Sequence, residues 1–136
     1  MAWQPGQQKD RIPRPGWYKG ILFRSMLEVD FARALDRVNI EWVYEPKTFF
    51  ADGQFWRADF LVSGTYIELK PSDLLPVEIA GQIRRISCAW ETEPGAVICL
   101  IVWRFGEGAV LVFTGRDGAW VFSTGYPAGV IRGPGP

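Results

Sequence analysis

The sequence predicts an α/β domain in which a central mixed β-sheet is flanked by helices. Three observations carry that expectation. Apolar residues recur at helical spacing over residues 23–38 and again over 75–90. Short strand-like stretches bounded by Gly, Pro, Asn and Asp follow each of these runs. The second helical run also separates two strand patterns, the order of a crossover connection that leaves the strands it joins parallel. A length of 136 residues is that of a single domain with one core. An apolar fraction of 48% with seven tryptophans is foreign to disordered chains.

Residues 1–17 carry Pro5, Gly6, Pro13, Pro15 and Gly16 and read as a flexible arm. The domain proper is expected over 18–124. Its first helix places Phe23, Leu27, Phe31, Ala34, Leu35 and Val38 on one stripe, and Asn39, which tolerates the left-handed conformation, ends it. Strands are expected at 41–44, 55–62 and 65–70, with Ser63-Gly64 as the tight turn between the last two. Pro71 then stops the ladder. The second helix carries Val77, Ile79, Ala80, Ile83, Ile86 and Trp90 as its apolar positions, with Gly81 as a weak point inside it. Three more strands follow at 96–103, 109–113 and 119–122, separated by glycine-containing turns. The Gly/Pro-rich tail, 125–136, reads as frayed.

Composition removes several function classes. The chain has no histidine, and Cys88 and Cys99 stand singly, so zinc sites of the usual kind and histidine-dependent triads are excluded. No apolar run has the length of a membrane span, and the basic start of the chain lacks a signal-peptide core. A cytoplasmic protein with reduced thiols is expected. The net charge is zero, but it is unevenly placed. Lys9, Arg11, Arg14, Lys19 and Arg24 face only Asp10 within the first 24 residues, leaving the remainder acidic. A basic segment before an acidic body suits phosphate binding beside a carboxylate-rich metal site, with Lys19 and Arg24 as candidate nucleic-acid contacts. A solvated tail is the alternative.

The candidate chemistry lies where carboxylates meet apolar faces. Glu28 falls beside the core-facing stripe of the first helix; taken alone, an edge position reaching water explains it as well. In the strand at 55–62, Trp56, Ala58, Phe60 and Val62 alternate on one face, which turns Asp59 to the other. Across the Ser63-Gly64 turn, Glu68 and Lys70 share a face of the next strand, so Asp59, Glu68 and Lys70 can converge. Mg2+, with Mn2+ as a substitute, takes oxygen ligands and keeps several waters. Asp59 and Glu68 would bind it with the backbone carbonyl of Leu69, and Glu28 directly, through water or at a second ion. Lys70 would orient or deprotonate the attacking water.

The stretch Asp59 … Glu68-Leu69-Lys70 resembles the PD-(D/E)XK nuclease signature. Tyr18-Lys19-Gly20 … Phe23-Arg24-Ser25-Met26-Leu27-Glu28 resembles the first helix of small phage-type and transposon-end endonucleases. Ile40-Glu41-Trp42-Val43-Tyr44-Glu45-Pro46 is similar to the strand after that helix. Ala58 stands where the family usually has proline. The resemblance spans roughly residues 18–103. It implies a restriction-endonuclease-like core, Mg2+-dependent phosphodiester hydrolysis with Glu28, Asp59, Glu68 and Lys70 as catalytic residues, and DNA as the expected substrate. It also implies a polar or basic contact on the helix after the E-x-K strand, with Gln82, Arg84 and Arg85 as candidates; a solvated helix face is the alternative for the arginines. Trp3 and Trp17 can stack on bases, or pack onto the domain. A homodimer, or a subunit of a larger DNA-processing complex, follows from the small size of the chain. The rival expectation is a non-catalytic or partner-dependent nucleic-acid-binding module on the same scaffold.

Overall fold

A computed structural model describes residues 14–71, 76–104, 107–116, 118–123 and 131–132. The expected arm at residues 1–13 and most of the tail lie outside the described residues. By its internal contacts the chain forms two compact units, Met1–Ile40 and Glu41–Pro136.

The first unit opens with a hairpin of strands β1 (Gly16–Tyr18) and β2 (Ile21–Phe23). Lys19 and Gly20 have φ of 50° and 76°, the two positive values of the tight turn that matches strand twist. Helix α1 (Met26–Arg37) follows, with Ser25 as its N-cap. The Ser25 Oγ accepts from the Glu28 backbone N–H at 3.2 Å, satisfying one of the donors a helix start leaves open. At the other end Asn39 takes φ 56°. Its N–H bonds to Asp36 O at 3.1 Å and that of Ile40 to Leu35 O at 2.9 Å, the paired bonds of a left-handed helix stop. Asn39 therefore ends the helix as expected, whereas the start is three residues later than expected. Phe23 is the last residue of a strand, not the first of the helix. The Tyr18 hydroxyl donates to the Asp36 carboxylate, which pushes the Tyr18 pKa up. Lys19 Nζ lies 2.9 Å from the same carboxylate, so hairpin and helix are tied together by both.

In the second unit, strands β3 (Val43–Tyr44), β6 (Phe60–Val62), β7 (Thr65–Pro71), β8 (Val97–Arg104), β9 (Glu107–Thr114), β10 (Ala119–Ser123) and β11 (Ile131–Arg132) form one sheet. Its order among the described residues is β11-β10-β9-β8-β7-β6-β3. Only β7 and β8 run parallel among these pairs, and helices α2 (Pro76–Ile86) and α3 (Ala89–Thr92) lie between them in the chain. The crossover and the mixed α/β sheet are thus as the sequence predicts. Strands β4 (Thr48–Ala51) and β5 (Gln54–Arg57) make a separate hairpin.

Three expectations need correction. The strand at 55–62 is two strands, β5 and β6, belonging to different sheets. The helix at 75–90 breaks after Ile86 and resumes as α3. Part of the tail returns as β11 to pair with β10.

Ile79, Ile83 and Ile86 of α2 and Ala89 and Trp90 of α3 pack with Ile98, Leu100 and Val102 of β8, Phe113 of β9, and Phe49 and Trp56 of the β4–β5 hairpin. This apolar burial is the main stabilising term. Trp90 buries its ring there and satisfies its indole N–H on Ala96 O at 2.9 Å. No described helix is long and apolar enough to cross a membrane.

Candidate active site at the start of strand β6

Asp59 reaches strand β7 at Leu69, the residue between Glu68 and Lys70, by a backbone path other than the single strand expected. Phe60 is the register partner of Ile67, and the Asp59 N–H also bonds to Ile67 O at 2.9 Å. Two residues thus oppose one, the pattern of a β-bulge. Immediately before it the chain has left the ladder, because the Ala58 N–H donates to Lys47 O at 3.3 Å. The alternation breaks at the same place: Ala58, Asp59 and Phe60 are all buried in succession.

The departure of the chain leaves the edge of β7 without a backbone partner from β6 at Leu69. The Asp59 side chain takes that place, its Oδ2 accepting from the Leu69 N–H at 2.8 Å. In a strand the N–H and C=O of one residue face the same neighbour, so the Leu69 carbonyl faces the Asp59 side as well. The Asp59 carbonyl in turn accepts from Glu45 N at 2.8 Å. Asp59 is held through backbone and side chain together.

Glu68 is only 3% exposed. A buried carboxylate requires hydrogen bonds and positive charge to offset its desolvation, and both are present. Its Oε1 accepts from Trp56 Nε1 at 3.1 Å, and its Oε2 lies 3.2 Å from Lys70 Nζ. Trp56 is itself fully buried and stacked on Phe49, with ring centroids 5.6 Å apart and planes at 11°. Packing of the β4–β5 hairpin thereby fixes the donor that orients Glu68. Sequence reasoning missed Trp56 in this role. The signal was a tryptophan on the apolar face of a strand, whose indole N–H must find a partner when buried.

Among the described residues, no group of three or more His, Cys, Asp and Glu side chains is placed to hold a metal. Asp59 and Glu68 supply two carboxylates, and a magnesium ion needs only one or two, with carbonyl, water and phosphate oxygens completing its shell. That donor set therefore fits a hard cation.

The remaining candidates are placed as follows. Glu28 belongs to the first unit, 5% exposed, at the third position of α1. Ser25-Met26-Leu27-Glu28 has the Ser-x-x-Glu spacing of a capping box, so a helix start gives Glu28 a structural task. Lys19 sits in the β1–β2 turn, paired with Asp36, and Arg24 is exposed before the cap. On α2, Arg84 and Arg85 are exposed, while Gln82 Oε1 is buried without a hydrogen-bond partner among the described residues. Trp17 is exposed on β1; Trp3 lies outside the described residues. Both cysteines are free. Burial raises the Cys88 thiol pKa and pushes Cys99 up to about 11, which makes them poor nucleophiles at neutral pH.

No family model matches this chain, and no curated protein or solved structure matches it either.

Proposed function

We propose that this protein is a divalent-metal-dependent nuclease of the PD-(D/E)XK kind, hydrolysing phosphodiester bonds in DNA on a restriction-endonuclease-like core. One observation carries the reading: Asp59 is anchored to the Leu69 N–H while Glu68 and Lys70, on either side of Leu69, form an ion pair at 3.2 Å. Two buried carboxylates, a carbonyl on the same edge and a lysine are the groups such hydrolysis uses.

Asp59, Glu68 and the Leu69 carbonyl would hold Mg2+ or Mn2+, and Glu28 is the further ligand that the resemblance assigns. Held by these residues, such an ion would supply a water of lowered pKa and positive charge to offset that developing on the phosphate. The bulge aims Asp59 at the β7 edge, and Trp56 keeps the Glu68 carboxylate from turning away. Lys70, ion-paired with Glu68, would turn to the attacking water and stabilise the negative charge of the transition state.

Incubation of the full chain with supercoiled plasmid and a branched oligonucleotide tests this. Cutting is expected with Mg2+ and with Mn2+ and none with EDTA. Folded protein that binds DNA but cuts neither substrate with either metal would favour the binding-module reading.

A further inference from the structure

The β4–β5 hairpin has two unlike faces. Phe49 and Trp56 form the cross-strand pair on the inner face, both buried. Phe50 and Phe55 form the pair on the outer face, 70% and 58% exposed, with ring centroids 6.1 Å apart. A hairpin anchored by one aromatic pair thus presents a second pair to solvent. Single exposed apolar residues need no explanation, but Phe55 of this pair borders a particular surface.

Phe55, Gln54 and Gly53 line an open cleft of about 300 Å3 with Gly81, Arg84 and Arg85 of α2. Two of these lining residues are cationic and none is acidic. Neither arginine has a carboxylate partner among the described residues. One lining residue, Gly81, is a glycine in mid-helix, where alanine would be more stable. A Cβ on Gly81 would meet nothing within 4 Å, so packing does not require the glycine. Absence of a side chain there instead keeps the cleft open to a ligand's close approach.

We propose that this cleft holds an unpaired nucleotide, its base stacked on Phe55 and its phosphate between Arg84 and Arg85. Aromatic rings beside cationic groups are how unpaired strands are bound without sequence reading, whereas a blunt duplex offers no free base face. The proposal rests on nucleic acid being the substrate, and it extends that reading by naming a single-stranded region as what the protein grips.

The test is fluorescence anisotropy in EDTA, with a labelled single strand and a blunt duplex of the same length as probes. The wild-type chain binds the single strand more tightly. Phe55→Ala weakens that binding by at least about fivefold and leaves the duplex nearly unchanged. Replacing Arg84 and Arg85 by alanine lowers the slope of log affinity against log salt by about one. Gly81→Ala separates structure from binding: its melting temperature rises by about 2–4 °C while its single-strand affinity falls. Equal affinity for the two probes, or a Gly81→Ala protein that is more stable and binds as the wild type does, overturns the proposal. Because the assay contains no metal, it is independent of cutting. A chain that cuts but shows no single-strand preference loses this inference alone, and one that binds as described but never cuts keeps it while losing the nuclease reading.

Discussion

The two units both bury acidic side chains, and they do so in different settings. In the first, Glu28 is the third residue of α1, its backbone N–H held by Ser25 Oγ at 3.2 Å; an acid there complements the exposed donors and dipole of a helix start. In the second, Asp59 immediately precedes β6 and Glu68 lies within β7, where no helix end calls for an acid. Asp59 occupies a position that a regular strand would have filled with backbone, and Glu68 needs a buried indole and a lysine to be tolerated. A buried carboxylate with a local structural task says little about function. A pair whose surroundings are built to accommodate it says more.

That contrast can be broken by substitution. The largest effect is expected from Lys70→Ala, which lowers the rate of plasmid cutting by about 100- to 1,000-fold, with a circular dichroism spectrum like that of the wild type. Glu68→Ala leaves the Trp56 indole and the Lys70 ammonium without their partner, so urea unfolding in EDTA shows a loss of about 1–3 kcal/mol. Glu68→Gln, which can still accept from Trp56, loses less. In the first unit, Ser25→Ala costs about 1 kcal/mol by the same measurement. Glu28→Gln preserves the capping spacing and changes stability by less than about 0.5 kcal/mol, yet slows cutting if Glu28 is also a ligand. A Glu28→Gln protein that cuts at the wild-type rate would reduce Glu28 to its place in the helix cap.

The smallest effect sharpens the picture of the second unit's interior. Cys99, the register neighbour of Ile67, has its thiol pushed from 9.0 to about 11 by burial. The folded value lies above the unfolded one, so the stabilisation is fully present below about pH 9 and is lost as pH rises through about 11. Unfolding free energy measured over that interval falls more steeply for the wild type than for Cys99→Ala. The remaining decline is shared with Tyr66, whose pKa is also raised, first by burial and then by its bond to Glu93.

Much of this was legible in the sequence, and the misses have physical causes. The Ser63-Gly64 turn, with φ of 49° and 78°, aligns β6 and β7 so that Asp59 meets the E-x-K strand. Asp52-Gly53, with φ of 50° and 76°, is an equally direct hairpin signal that periodicity over 55–62 obscured. Trp56, Ala58 and Phe60 keep strand spacing straight through the break because the two strands bury the same kind of face. What divides them is the Lys47 carbonyl, which captures the Ala58 N–H, a tertiary contact that no local pattern records. β11 was missed because glycine and proline surround it in the sequence, and a two-residue strand leaves no period to detect. The Gly81 that weakened the helix pattern proved informative: the helix forms around it and an open cleft lies above it.

The central claim is that Asp59, Glu68 and Lys70 form one metal-dependent hydrolytic site. Its most direct test measures plasmid cutting and Mg2+-induced thermal stabilisation together, in the wild type, Asp59→Ala and Lys70→Ala. The account predicts that Mg2+ raises the wild-type melting temperature and supports cutting. Asp59→Ala should lose both, and Lys70→Ala should keep the stabilisation while losing the cutting. Metal-dependent cutting that persists in Asp59→Ala, or a wild-type protein that neither gains stability from Mg2+ nor cuts, would contradict it.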